Sequence, residues 1–340
     1  MEELVIVGGG VAGLGCLNAL LDNGISPLLL EASTIGSPKM CGEFLAPPVM
    51  EPLKKWGIGP ITPIKQAQFF GMKTPLQFTF PREAGAYPRQ NAELELAVRA
   101  KQQGGRIVEQ SPIKDIIPAT DKSPFILHLT SGETIQARDV IFATGKFSQP
   151  NASMYVGFKT HIPQIIQPET LLMFSLVGGY LGIVPVTSET SNLTCLIKRD
   201  IIEKAGSCRA FLNQSVGCAL AQHAIETLDW LEGSAPAFGM KTRPNWSHAY
   251  WIGDAFASVH PAIGYGFAHS VTSGLLAVDY YLKQDPAGYH QALTRLMRPK
   301  RMIGQGMHYL LQKPGLCTAV SSMMGENTWV SHRILKTLDY

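Results

Sequence analysis

The chain has 340 residues, a length that predicts about two domains at roughly 150 residues each. Hydrophobic residues make up 45% of the chain and charged residues 16%, which is ordinary for a globular protein and too apolar for a disordered one. The formal net charge is only +3, and the Lys and Arg residues are scattered, so we expect no nucleic-acid partner.

The six cysteines include no CxxC pair and no His/Cys cluster with metal-ligand spacing, so we predict no metal site and reduced thiols in a cytoplasmic protein. No charged n-region precedes an apolar h-region, and no run of about 18 apolar residues occurs. We therefore expect at most peripheral membrane contact. The basic stretch Arg295–Arg301 is compatible with anionic lipid or with a solvated helix end.

A strand followed by a glycine-rich turn opens the chain. Leu4–Val7 is a short apolar, β-branched run, which is typical of a strand buried on both faces of a parallel sheet. It leads into GGGVAG, where Gly8 permits a tight turn and Gly10 lets the backbone approach a pyrophosphate. Gly13 lets the next helix pack against the strand. The spacing predicts a nucleotide-binding turn.

The predicted helix runs from Val11, with Ala12 in its first turn, to Asn23, and its N-terminus would bind phosphates. Pro27–Leu30 then reads as a second strand that ends at Glu31. An acidic side chain at that position can accept hydrogen bonds from an adenosine ribose. Strand, glycines, helix, strand and acid thus occur in the order that a dinucleotide-binding βαβ unit requires.

Two later strands end in small or acidic residues. Asp139–Gly145 is an apolar strand that finishes in Ala-Thr-Gly, where Gly145 lets the backbone pass close to a cofactor. Tyr250–Ala255 is another strand, and it ends in Gly253 and Asp254. The βαβ unit alone does not separate FAD from NAD, so these segments decide between them.

Together these segments resemble the FAD superfamily that includes para-hydroxybenzoate hydroxylase, the geranylgeranyl reductases and the flavin-dependent halogenases, over roughly residues 1–285. The resemblance implies an α/β, Rossmann-type FAD-binding domain of glutathione reductase-like fold beside a sheet-rich α+β substrate domain. It implies that Asp254 holds the ribityl and pyrophosphate region of FAD. The family's Pro-x-x-Gly-x-Gly turn falls on Pro261, Gly264 and Gly266, before a helix whose N-terminus would face the isoalloxazine.

Pro88-Arg89 precedes a predicted helix that reaches about Gln103, and it resembles the family's arginine-led helix, whose Arg contacts the FAD phosphates. Arg89 suits that role because a guanidinium can bind a phosphate with two hydrogen bonds. An ordinary surface arginine at a helix start is the alternative.

Several segments indicate which branch of the superfamily the chain resembles. Lys39–Phe44 and Gly179–Pro185 resemble the geranylgeranyl reductase branch, although Gly182 replaces the tryptophan expected there. Gly253–Ala257 departs from the Gly-Asp-Ala-Ala-His pattern of hydroxylases, and the WxWxIP strand of halogenases is absent, which disfavours halogenation. Lys159 to His161 resembles a family segment at the start of the substrate domain. These segments do not decide to which branch of the superfamily the chain is most similar.

We predict an FAD-binding domain in residues 1–65, 85–154 and 243–285, a substrate domain in residues 66–84 and 155–242, and a C-terminal helical region in residues 286–340. The substrate domain is predicted to contain a strand-rich block followed by a helix over about 208–230. The C-terminal region is predicted as helices with breaks near 313–315 and 325–327, and as an accessory tail, with a cap over the substrate pocket as the alternative.

Four residues are candidates for positions beside the isoalloxazine. Cys41 is a candidate proton donor or a packing cysteine, and Glu43 a candidate general acid or a helix-start carboxylate. His260 precedes a proline, so its ring is predicted to point into the cleft or to serve a structural hydrogen bond. Tyr265, in the glycine-containing turn, completes the set.

The predicted function is an FAD-dependent oxidoreductase, either a monooxygenase or a reductase, that acts on a hydrophobic small molecule. We expect NAD(P)H as electron donor, with a separate flavin reductase as another possible source of electrons. The alternatives are a flavin-dependent halogenase and a non-catalytic lipid- or prenyl-binding protein of the same fold. The Rab escort and dissociation-inhibitor proteins, which share this fold, bind prenylated partners without flavin.

Overall fold

The computed structural model describes residues 1–70, 76–120, 122–146, 154–164, 166–220, 229–235, 238–240, 243–324 and 328–340. Within these residues the strands are β1 Glu2–Val7, β2 Leu28–Leu30, β3 Phe44–Leu45, β4 Thr62–Phe70, β5 Leu76–Ala86, β6 Arg106–Val108, β7 Ile113–Ile117, β8 Phe125–Leu129, β9 Thr134–Phe142, β10 Tyr155–Pro163, β11 Thr170–Leu176, β12 Gly179–Pro185, β13 Thr190–Lys198, β14 Leu231–Ala235, β15 Gly239–Met240, β16 Ala249–Trp251 and β17 Ala257–Ser258.

The helices of the described residues are α1 Val11–Asp22, α2 Pro47–Lys55, α3 Arg89–Gln102, α4 Arg199–Ala205, α5 Cys208–Leu220, α6 Gly266–Leu282, α7 Pro286–Leu311, α8 Pro314–Met324 and α9 Thr328–Thr337. None of these helices is both long enough and apolar enough to cross a membrane. Single helical turns at Gly253–Ala255 and Pro261–Ile263 follow β16 and precede α6.

The first sheet has the strand order β6-β2-β1-β9-β8-β7, with β16 paired to β9. The strands β6, β2, β1, β9 and β16 pair in parallel, whereas β8 and β7 are antiparallel additions. Val5 and Ile6 of the central strand β1 are fully buried, as expected for a strand covered on both faces. The carboxyl ends of the parallel strands therefore meet at one edge, where α1 begins.

Strand β9 joins two features that the sequence separates. Thr134–Ala137 is predicted as half of a hairpin and Asp139–Gly145 as a strand of the cofactor sheet. In the structure they form one strand, which pairs antiparallel with β8 from Thr134 to Ala137 and parallel with β1 from Ala137 to Phe142. The division is therefore wrong, because a continuous strand can pair with different neighbours along its length.

The second sheet has the strand order β14-β10-β13-β12-β11-β4-β5-β3, and only the β11–β4 pair is parallel. It takes its strands from four stretches of the chain, and β3, β4 and β5 extend beyond the predicted 66–84 segment to Phe44 and Ala86. The helix predicted over 208–230 ends at Leu220 in the described residues, and Leu231–Ala235 is a strand. The predicted break at 325–327 lies outside the described residues.

The predicted α/β architecture, with a Rossmann-type half and a sheet-rich half, is confirmed. One apolar core spans both, since Leu14 and Leu17 of α1 belong to the same buried cluster as Ile64 of β4 and Val184 of β12. The helix α1 is buried along almost its whole length. This core holds the glycine turn at a fixed distance from the second sheet.

Candidate active site

One large cavity lies between the two sheets and has a volume of about 1440 Å³. Pockets for a single small molecule usually occupy roughly 300–1,000 Å³, so this cavity has room for a dinucleotide and a second molecule. At one end it is lined by the carboxyl ends of the parallel strands. At the other it is lined by the second sheet and the C-terminal helices.

The glycine turn folds as its sequence predicts. Gly8 has φ +110°, a conformation that side-chain-bearing residues rarely adopt. A Cβ at Gly13 would overlap the Gly8 carbonyl oxygen, so α1 approaches β1 only because residue 13 has no side chain. Gly10 is the N-cap of α1 and supplies no capping side chain, which leaves N–H groups at the helix N-terminus for an anion. Gly8, Gly10, Val11 and Ala12 line the cavity, whereas Gly13 lies behind it.

Two cations and a carboxylate surround the position of Gly10. A Cβ built there would lie 3.7 Å from Arg89 Nη2 and 3.9 Å from Lys39 Nζ. Glu93, whose side chain is 1% exposed, accepts hydrogen bonds from Arg89 Nε at 2.8 Å and Lys39 Nζ at 3.1 Å. The carboxylate orders both cations beside an uncapped helix N-terminus, which suits a pyrophosphate. Sequence reasoning missed Lys39 because its loop carries no periodic pattern.

Glu31 lies at the carboxyl end of β2 and lines the cavity. Its Oε2 accepts the Gly9 N–H at 2.5 Å, and its Oε1 accepts the Ser33 N–H at 2.9 Å and the Ser33 hydroxyl at 2.6 Å. Burial by itself opposes ionisation, but these hydrogen bonds outweigh it and lower the pKa of Glu31. A carboxylate with lone pairs remaining can still accept the hydroxyls of a ribose.

The Gly253-Asp254 pair follows β16 directly. Gly253 has φ +56°, and a Cβ there would lie 2.9 Å from Ala12 Cβ, so the turn packs against the start of α1. The Gly253 N–H donates to Ser273 Oγ at 2.8 Å. Asp254 and Gly145 both line the cavity. Lys146 Nζ lies 3.8 Å from the Asp254 carboxylate. Gly253 therefore positions the turn, and Asp254 faces the cavity.

The turn before α6 forms another part of the wall, and Pro261, Gly264 and Gly266 all line the cavity. Gly264 has φ +60°, and a Cβ there would lie 2.7 Å from the ring of Phe44. The N-cap residue of α6 makes no side-chain capping bond, so this helix too presents free N–H groups. Tyr340 lies beside the turn and donates its hydroxyl hydrogen to the Ile263 carbonyl at 2.7 Å.

Cys41 and Glu43 also line the cavity. The Cys41 Sγ accepts the Glu43 N–H at 3.3 Å, and the Glu43 carboxylate accepts bonds from Lys159 Nζ at 2.8 Å and His161 Nε2 at 2.7 Å. Burial by itself would raise the pKa of Glu43, but the His161 hydrogen bond and the positive Lys159 outweigh it and lower that pKa. Lys159 and His161 thus contact Glu43 although they lie 116 and 118 residues further along the chain.

The remaining two candidates, His260 and Tyr265, do not line the cavity. The centroid of the His260 ring lies 4.5 Å from that of the His308 ring, and the two ring planes are tilted by 35°. The Tyr265 hydroxyl donates to Asp339 Oδ2 at 3.3 Å, and Lys300 lies over its ring. Their expected place beside the isoalloxazine is therefore corrected, because the Tyr265 ring is buried in the apolar core and the partly buried His260 ring packs against His308 and Phe238.

The far end of the cavity is apolar and draws on distant parts of the chain. Phe69 and Met173 contribute from the second sheet, and Leu310, Val320 and Leu335 from the C-terminal helices. The predicted accessory tail is therefore wrong, because residues of α7, α8 and α9 form part of the cavity wall. The amphipathic pattern of these helices does not show in the sequence which surface their apolar faces cover.

Residues 5–171 match the model of a family described as pyridine nucleotide-disulphide oxidoreductase. No protein of curated function matches the sequence. A geranylgeranyl bacteriochlorophyll reductase-like protein from Thermoplasma acidophilum has a similar structure, with a TM-score of 0.77 and 17% identity over 99% of this chain and 95% of that chain.

The flavin-dependent brominase Bmp2 is similar too, with a TM-score of 0.79 and 16% identity over 99% of this chain and 93% of that chain. PqsL of Pseudomonas aeruginosa, described as a probable FAD-dependent monooxygenase, has a TM-score of 0.73 and 14% identity over 94% of this chain and 99% of that chain. At these identities the structures establish a shared fold, that of two-part flavoproteins.

Proposed function

We propose that this protein binds FAD in the cavity and acts as an FAD-dependent oxidoreductase on an apolar small molecule, by hydroxylation or by reduction. One observation carries the proposal. A single cavity runs from the uncapped N-terminus of α1, with Arg89 and Lys39 beside it, to an apolar wall formed by the second sheet. A dinucleotide at one end would place its reactive ring next to a separate apolar compartment.

The residues present fit FAD. Glu31 would hold the ribose, the α1 N-terminus with Lys39 and Arg89 the pyrophosphate, and Asp254 the ribityl region. The α6 N-terminus, beyond Gly264, would stabilise negative charge on the ring system. When bound, FAD supplies the electron transfer itself. The chain supplies orientation and exclusion of water.

The substrate end supports an apolar ligand. Phe44 and Phe80 stack with Tyr340 at ring-centroid distances of 6.1 Å and 5.2 Å, and all three line the cavity. Aromatic faces and aliphatic side chains bind apolar surface well and offer few partners to a charged ligand. We therefore propose a hydrophobic molecule with few charged groups as substrate, and NAD(P)H as the source of electrons.

An absorbance spectrum of the purified protein is the first test. We expect the absorbance bands of bound flavin, directly or after incubation with FAD, and bleaching on addition of NADPH or NADH without oxygen. A flavoprotein that these nucleotides do not reduce would contradict the proposed donor and favour a separate flavin reductase. A protein that stays colourless after FAD is added would contradict the function itself and favour a non-catalytic binding protein.

Two further measurements separate the reactions. Oxygen uptake coupled to product indicates a monooxygenase, whereas product formed without oxygen indicates a reductase. Product that appears only with chloride or bromide would instead establish halogenation, which the missing WxWxIP strand disfavours.

A further inference from the structure

Glu43 is buried, charged and conformationally strained. Its backbone has φ +58°, a left-handed conformation that costs a residue with a side chain about 1 kcal/mol or more. Its side chain is 2% exposed, so its charge is removed from water as well. Such costs persist where the surrounding structure imposes them, and they concentrate at functional sites.

The conformation of the segment around Glu43 is fixed by contacts with residues 87–89 and with the second sheet. The Glu43 carbonyl accepts the Tyr87 N–H at 3.0 Å, and its Oε1 accepts the Arg89 N–H at 3.2 Å. From the second sheet, Asn192 Nδ2 donates to the Cys41 carbonyl at 2.9 Å. The segment is thus anchored to both halves of the molecule, with the Glu43 carboxylate between them.

Lys159 and His161 meet this carboxylate from one face of β10, since residues two apart in a strand point the same way. Their environments differ. The Lys159 side chain is 12% exposed and bonds Oε1, whereas the His161 side chain is 41% exposed and bonds Oε2. One Glu43 oxygen therefore bonds a largely buried ammonium group, and the other bonds an imidazole that is open to solvent.

We propose that His161 and Glu43 form a proton relay from solvent to the cavity, with Lys159 as its positioning residue. This relay rests on the proposed function, because it serves a cavity in which a reaction consumes protons. Protonated His161 passes the proton on Nε2 to Glu43 Oε2, and Glu43 passes it to an acceptor in the cavity. The neutral His161 ring, which still carries its Nδ1 proton, then turns outward, takes a proton from water on Nε2 and turns back, so the relay ends in its starting state.

The charged groups around the Glu43 carboxylate give Lys159, Glu43 and His161 different roles in the relay. Lys159 favours the carboxylate over the carboxylic acid, so Glu43 carries a proton only in passage, and the exposed imidazole acts as the reservoir. Arg89, Cys41 and Tyr87 are the other ionisable residues, within the described part of the chain, whose atoms bond to Glu43, each through a single hydrogen bond. Phe44, the next residue, packs against Gly264, so the relay ends near the turn expected beside the isoalloxazine.

The first test uses the FAD-loaded protein, reduced with dithionite and mixed with dioxygen. Anionic reduced flavin carries one transferable proton, and dioxygen takes two electrons and two protons to become hydrogen peroxide, so one further proton must come from solvent. We expect His161→Ala to slow proton uptake and flavin reoxidation about tenfold, and imidazole in the buffer to restore both. A merely structural histidine would not be rescued in this way.

His248→Ala is the matched control, because His248 Nδ1 bonds Asp139 at 3.0 Å and its side chain is 39% exposed, but the pair lies outside the cavity lining. It should leave the rate and its pH dependence unchanged. An His161→Ala protein that reoxidises at the wild-type rate between about pH 6 and 8 would overturn the relay.

A second readout needs no flavin. We expect carbon NMR to show the pKa of the Glu43 carboxyl rising in His161→Ala, because the hydrogen bond from His161 lowers it in the wild type. Imidazole should reverse the rise. An unchanged pKa would overturn the relay even in a protein that does not bind FAD, whereas failure to bind FAD alone counts against the proposed function.

Discussion

The nucleotide-binding end and the substrate end of the cavity are built in different ways. Residues 8–31 supply the glycine turn, α1, β2 and the acidic residue of the first end from one short stretch. The other end combines side chains from β4, β11, α7 and α9, which lie up to about 270 residues apart in the chain. The first end is therefore readable as a local pattern, and the second exists only once the chain has folded.

This difference predicts that single changes at the first end act strongly and specifically on FAD. Gly13→Val places carbon atoms where the Gly8 carbonyl oxygen lies, so the strand and helix must separate. We expect loss of bound FAD and a free energy of unfolding lower by about 3 kcal/mol or more. Gly306→Ala is the control, because a Cβ there meets no atom within 4 Å. Retention of FAD by Gly13→Val would contradict this account of the turn.

Glu31→Gln should weaken FAD binding about tenfold, because a neutral amide is a poorer acceptor for the Gly9 N–H and for ribose hydroxyls. Fluorescence titration with FAD measures the affinity. Glu109→Gln is the matched control, since Glu109 also accepts a backbone N–H, that of Ile35 at 2.9 Å, but does not line the cavity. Equal losses in the two variants would show that the effect is only structural.

A smaller, salt-dependent effect is expected at Lys39. Lys39→Met should weaken FAD binding about fivefold at low salt and by less near 1 M salt, since a half-exposed charge is screened. Lys65→Met, at a surface ion pair with Glu169, should leave the affinity unchanged. The same loss at low and high salt would argue against an electrostatic contact with phosphate.

The contact between His260 and His308, at the C-terminal helix α7, should show instead a dependence of stability on pH. Burial, together with nearby Arg301, lowers the pKa of His260 to about 4, and burial, with His260 nearby, lowers that of His308 to about 4. Unfolded histidine has a pKa near 6.5, so between about pH 6.5 and 4 the unfolded chain binds more protons and stability falls as pH falls.

Thermal unfolding at several pH values measures this loss of stability at acidic pH. His308→Phe should reduce it, because the ring packs among Tyr155, Tyr180 and Phe238, where another aromatic ring fits. A wild-type Tm that does not change between neutral and mildly acidic pH would contradict the prediction.

The sequence by itself determined the βαβ unit, the order of its glycines and acid, and the later Gly-Asp and Pro-x-x-Gly-x-Gly segments. These patterns are short-range, and each residue type is required by local backbone geometry, as the positive φ of Gly8 and Gly264 shows. Eleven of the thirteen predicted cofactor residues line the cavity, and Gly13 and Gly253 support the turns behind it.

Only the tertiary structure decided which side chains face the substrate. It brought Lys159 and His161 onto Glu43, kept His260 and Tyr265 out of the cavity lining, and made the C-terminal helices part of the cavity wall. Strand register and helix packing set these contacts, and both depend on surfaces distant in sequence. A motif defines the backbone of the turn that contains it, whereas the direction of a side chain across a cleft depends on the whole core.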